Sequence, residues 1–352
     1  MQVLPTLALG CLLFLPSAAS AQQGERYTLD GNEVAIYNLA GSLTVERGTG
    51  SVAVELTRGG ADAARLQVEQ GELEGRGTLR VVYPAESIVY PGLERGSSTT
   101  LRVREDGTFG DGDSHERQRG HKVTVSGQGQ GLRAHADLKV RMPAGYRVSL
   151  YLAVGRVSIA DVDGELLVDG HSAPVTATGT RGTLDIDVGA GTVRVTGAQG
   201  TLNVDTGSGP VEVSGFSGTD LTIDTGSGGV TGSRLEAGEI HIETGSGDIE
   251  LTEVTSPVIA LETGSGSVGA DLRGRVREVA VETGSGNVSV QAPASLAAEV
   301  ELETASGEIE TDFPLQVTRH SRDHVVGRIG DGTGRVAIET GSGDVRLIKN
   351  PN

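Results

Sequence analysis

The sequence predicts an all-β chain: a right-handed parallel β-solenoid with rungs of about 19 residues and a less regular N-terminal β region. Three observations predict it. The string acid-Thr-Gly-Ser-Gly recurs behind Asp205, Asp224, Glu243, Glu262, Glu282 and Glu339, with Ala305 replacing the first glycine behind Glu303. Weaker copies open at Asp169 and Asp187, and the steps from Asp169 to Glu303 are 18, 18, 19, 19, 19, 20 and 21 residues. Glycine supplies 54 of 352 residues while aromatics make up 3%, a composition suited to many tight corners and short aliphatic strands.

Each copy has the same layout. Two apolar residues flank a variable one before the acid, as in Leu202/Val204, Ile240/Ile242 and Val300/Leu302. The alternation resumes after the glycines, as in Val211/Val213, Ile249/Leu251 and Val345/Leu347. Period two means a strand with one buried face, and the Thr-Gly-Ser-Gly between two such strands is a corner. One unit cannot bury its apolar side alone, but stacked units build a continuous aliphatic ladder. Neighbouring rungs then pair in parallel, about 4.8 Å apart. Right-handed coiling follows the rule for parallel crossovers. A propeller needs units of about 40 residues and fits worse.

The chain before residue 145 is less regular. Val34–Tyr37 and Ser42–Val45 resemble a rung with Gly41 at its corner, whereas 58–77 and 94–122 read as polar loops. The expected organisation is a signal peptide over 1–21, an N-terminal β region over 22–145 that caps the solenoid, and regular repeats over 146–352. An irregular rung is expected over 312–334, because Glu339 follows Glu303 by 36 residues, close to two periods.

Residues 4–16 are almost wholly apolar, and Ala19-Ser20-Ala21 is a small-x-small cleavage signal, so export to the periplasm, cell surface or medium is expected. Cleavage after Ala21 removes Cys11, the chain's single cysteine, and excludes disulfides and thiolate metal sites. Lipoprotein processing at Cys11 is the alternative. No later segment has the about 18 apolar residues of a spanning helix. The net charge of −18 disfavours nucleic acid and anionic lipid as partners.

Candidate sites follow from the repeat. Each acid comes after an inward residue, so it points outward. Stacking aligns Asp169, Asp187, Asp205, Asp224, Glu243, Glu262, Glu282 and Glu303 in one column, which is either a solvated polar face or a cation site bridging carboxylates, calcium being the candidate. Corner hydroxyls lack any recurrent histidine or nucleophile elbow and read as backbone ligands. Gly264–Gly269 matches Gly-x-Gly-x-x-Gly, but a strand follows it where a dinucleotide site needs a helix. Asp106–Asp113 resembles a calcium loop in composition, yet Lys122 stands where an EF-hand starting at Asp111 needs glutamate. His320 and His324, with Asp323, share a face only if that segment is helical. No catalytic or cofactor-binding residues emerge.

These (Asp/Glu)-Thr-Gly-Ser-Gly-(Asp)-(Val/Ile) rungs, together with Ile36–Val45 and the closing Glu339–Leu347, resemble the bacterial putative-adhesin, β-strand-repeat family of exported proteins, formerly a domain of unknown function. The resemblance implies a non-enzymatic protein of the cell envelope and assigns no catalytic residue. The expected function is an adhesin or binding scaffold whose partners are envelope or extracellular polymers, proteins or divalent cations. The alternatives are a polysaccharide lyase or hydrolase, which needs long loops walling a cleft, and a self-assembling filament. Rungs of 18 to 21 residues leave little room for such walls.

Overall fold

Across residues 163–273, each repeat strand lies one period from its partners. The computed structural model describes residues 24–110 and 120–351; the signal-peptide and Cys11 readings lie outside these. Among the described residues the chain is all-β apart from one short 3₁₀ turn, Ala63–Arg65. One 25-stranded sheet carries the repeats, and a separate three-stranded sheet forms from Ser87–Val89, Ser98–Val103 and His121–Ser126.

Repeat strands pair in parallel and in register. Leu202 lies beside Leu184 and Leu221, and Leu221 beside Ile240. The next column runs Val204, Ile223, Ile242, Leu261, Val281. All of these, together with Ile249, Leu251, Val288, Val290, Val345 and Leu347, are buried in one aliphatic cluster. Such burial stabilises by about 1.5–3 kcal/mol per side chain, repeated at every rung.

The ends depart from sequence order. Glu33–Arg47 pairs along Tyr146–Ala160, from Arg147 beside Glu33 to Ala160 beside Glu46. The intervening chain folds back onto the far edge of Glu33–Arg47 through Arg76–Val82 and His135–Met142. Tyr83 ties this layer down: its hydroxyl donates to Asn38 Oδ1 at 2.8 Å and lies 2.9 Å from the Ala40 carbonyl, while Asn38 Nδ2 donates to the Ala136 carbonyl at 2.7 Å. Burial pushes the Tyr83 phenol well above its ordinary pKa.

The C-terminal end mirrors this. Gly334–Thr340 pairs with Glu278–Thr283 on one side and Ala298–Thr304 on the other. Val345–Lys349 likewise lies between Val288–Ala292 and Ile309–Thr311. The last rung in sequence is therefore second from the end in space. The 36-residue step from Glu303 to Glu339 holds no intermediate rung. Instead, residues 312–333 contain an antiparallel hairpin, Gln316–His320 with His324–Ile329, whose second strand covers the free edge of Ala298–Thr304. Antiparallel pairing there ends the parallel stack and protects its edge.

Candidate functional site

The corners show why the motif has its residues. The threonine after each acid turns inward; Thr225, Thr244, Thr263, Thr283, Thr304 and Thr340 are buried. Thr244 Oγ1 donates to the Gly228 carbonyl of the preceding rung at 3.0 Å and accepts from Gly247 N at 3.1 Å. Thr263, Thr283, Thr304 and Thr340 donate to corner carbonyls at 2.8–2.9 Å in the same way. These threonine hydroxyls bond backbone groups, as the sequence suggests for the corner hydroxyls, whereas the corner serines are exposed. The glycines answer to close approach: a Cβ on Gly266 would lie 2.1 Å from the Gly247 carbonyl oxygen. The strand Val268–Arg273 follows Gly264–Gly269, so the helix a dinucleotide site needs is absent there.

With threonines inward, the acids point outward. Register pairs run Asp169, Asp187, Asp205, Asp224, Glu243, Glu262, Glu282 without interruption. Glu339 follows Glu282, and Glu303 follows Glu339. The column is thus longer by one acid than the sequence reading aligned, because Glu339 inserts ahead of Glu303. All are exposed except Asp169, which is half-buried. Asp185, Asp187, Asn203, Asp205, Thr222 and Asp224 line a shallow concavity of about 270 Å³. Partial burial, then the flanking Asp187 and Asp224 charges, raise the Asp205 carboxyl above its ordinary pKa. Asn203 Nδ2 donates to Asp185 Oδ1 at 2.6 Å beside it.

Different chemistry closes each end of the column. Before Asp169 come Tyr151 and Tyr37, in register and stacked at 4.4 Å, with Phe109 edge-on to Tyr37 at 6.0 Å. This aromatic group escaped sequence reading because Tyr37 and Tyr151 are far apart along the chain. Beyond Glu303 lies His324, its register partner on the antiparallel hairpin strand. His324 Nε2 lies 3.2 Å from Glu301 Oε1.

His320 and His324 sit on opposite strands of a hairpin, not on a helix, so the helical pairing with Asp323 fails. Asp323 instead shapes the turn, accepting from Ser321 Oγ at 2.7 Å. Asp106 accepts from the amide and hydroxyl of Thr108 at 3.0 and 2.7 Å, an Asx turn, and its carbonyl accepts from Arg80 Nη1. Residues 111–113 lie outside the described residues.

A stack of parallel β-repeats with threonine-glycine corners and an outward acid column defines a repeat-built β-protein. The Toastrack DUF4097 family model matches residues 111–348, more than half of the chain, and the chain belongs to that family. No curated protein matches the chain. A solved structure described as "a putative cell adhesion protein from Clostridium sporogenes" is similar at 8% identity, with 93% of this chain and 99% of that chain covered and a TM-score of 0.22. Among the described residues no helix is long and apolar enough to cross a membrane.

Proposed function

We propose that the protein is an exported, non-enzymatic binding scaffold of the cell envelope, a right-handed solenoid of about 19-residue rungs that presents its acid column to an extended cationic partner. The observation that carries this is the unbroken register from Asp169 to Glu303. Parallel strands set the acids about 4.8 Å apart along the column. Each carboxylate repels its neighbour by only about 1 kcal/mol in water, so stacking the acids in one column costs the fold little. A partner with regularly spaced cations gains affinity by multivalency rather than from any single contact. The non-enzymatic reading rests on the corner threonines, most of whose hydroxyls bond backbone groups, on the lack of any histidine or acid recurring beside the corner serines, and on the shallowness of the concavity over the column. Divalent cations such as calcium bridging the column to an anionic polymer are the second form of the same reading.

The test is calorimetry of the full chain with poly-lysine and, separately, with calcium. The comparison protein carries Asp205→Asn, Asp224→Asn, Glu243→Gln and Glu262→Gln together. Poly-lysine should bind the native protein with an affinity that falls steeply with salt and should bind the neutralised protein at least about tenfold more weakly. Equal affinity for the two proteins refutes the column as the binding face.

A further inference from the structure

We propose that Glu301, Glu303 and His324 form a binding site for one divalent transition-metal ion of the zinc type, fastening the C-terminal hairpin to the last rung. One ligand atom from each residue lies within 4.8 Å of the other two. The two strands that carry them are hydrogen-bonded antiparallel, with Glu303 directly opposite His324, so the backbone fixes their spacing. Glu301 and Glu303 alternate outward on Ala298–Thr304, separated by the inward Leu302. Behind His324 the turn is held twice: Thr304 N donates to the Asp323 carbonyl, and Ser321 N to the His324 carbonyl, both at 2.9 Å.

A plain ion pair does not use the whole arrangement. His324 Nε2 engages Glu301 at 3.2 Å, while the Glu303 carboxylate, within 4.8 Å of both, makes no hydrogen bond or ion pair among the described residues. A cation shared by all three would satisfy both carboxylates. Glu339, in register with Glu303, adds negative potential beside them, and the nearby Arg328 lies 3.9 Å from Glu299 instead. The donor set selects the ion. One imidazole and two carboxylates suit a borderline ion with three protein ligands and an open position. Calcium requires six to eight oxygen ligands, which this site lacks. Glu303 is also the last acid of the column, but the site needs none of the column's other members and stands whether or not the column binds a partner.

The test is calorimetric titration of the full chain with zinc, with melting temperature followed in parallel. One equivalent should bind and raise the melting temperature, since the ion links two elements only in the folded state. Excess calcium should not displace it. Glu301→Gln, Glu303→Gln and His324→Gln should each weaken binding at least about tenfold. His320→Gln and the four-site column variant should bind as the native chain does. Glu303→Gln is the safest variant for folding, because its carboxylate makes no bond to lose, and circular dichroism without zinc checks all three. The proposal is overturned if the native chain binds no zinc, if calcium displaces it at equal concentration, or if folded Glu303→Gln binds zinc as tightly as the native chain.

Discussion

At the scale of single residues, the corner threonines allow a sharp comparison. Thr244 bridges two rungs through a donated and an accepted hydrogen bond. Thr206 occupies the same motif position and is fully buried, yet its hydroxyl has no partner, and Val188 stands in register with it one rung earlier. An unsatisfied buried hydroxyl costs about 1–3 kcal/mol, whereas a satisfied one contributes. Thr244→Val should therefore cost about 1–3 kcal/mol in urea melts, and Thr206→Val should be neutral or stabilising by up to about 1 kcal/mol. Equal losses at both sites would contradict the assignment of these bonds. Asp205 supplies a second test. Its folded pKa is raised above the ordinary 3.8 by burial and by Asp187 and Asp224, so folding disfavours its ionised form. The resulting penalty is fully present above the folded pKa and vanishes as pH falls below 3.8. Asp205→Asn should thus stabilise the protein at pH 7, and the gain should disappear in melts below pH 3.8. A gain that persists in acid would mean that charge is not its cause.

At the scale of elements, the sequence made legible whatever is local and periodic. Alternation behind and ahead of each glycine corner identified strands and their inward residues, and Ile240, Ile242, Ile249 and Leu251 are all buried. The acid column followed, because its members share one position in the repeat. What the repeat could not encode is which rung lies beside which. The Glu339 rung fits equally well after Glu303 or before it, since both slots offer the same aliphatic columns and glycine carbonyls. The antiparallel hairpin decides the matter by covering the outer edge of Ala298–Thr304, and its exposed first strand, Gln316–His320, carries no alternation to read. The same limit hid the grouping of Glu301 and Glu303 with His324. The outward direction of both glutamates was readable from alternation, but the strand facing them was not. Tyr37 and Tyr151 illustrate the point at the other end, where nearly a hundred residues separate two rungs that touch.

At the scale of the whole molecule, antiparallel strands close both ends, Val52–Gly59 and Gln67–Leu73 at one and His324–Ile329 at the other, and at the C-terminal end the last rung in sequence inserts just inside the outermost one. This gives the C-terminal rung an escape that internal rungs lack. Glu282 and Glu303 are 21 residues apart, an ordinary rung step, so the layers flanking Gly334–Thr340 can pair directly if that rung leaves. In repeat stacks, stability is roughly a sum over layers and their interfaces, so expelling one layer costs a bounded amount. A charge buried in the core without a partner costs several kcal/mol. Ile242→Asp must pay that cost or melt the stack around Ile223 and Leu261, its register neighbours. Ile338→Asp, equally buried in the native fold, can instead release residues 334–352 and let the stack close. Ile338→Asp should then melt close to a chain ending at Gly332, well above Ile242→Asp, and limited proteolysis should trim only its C-terminal segment. Equal melting temperatures for the two aspartate variants, with no trimming, would show that the inserted rung is locked in place and that the layers on either side of it cannot meet.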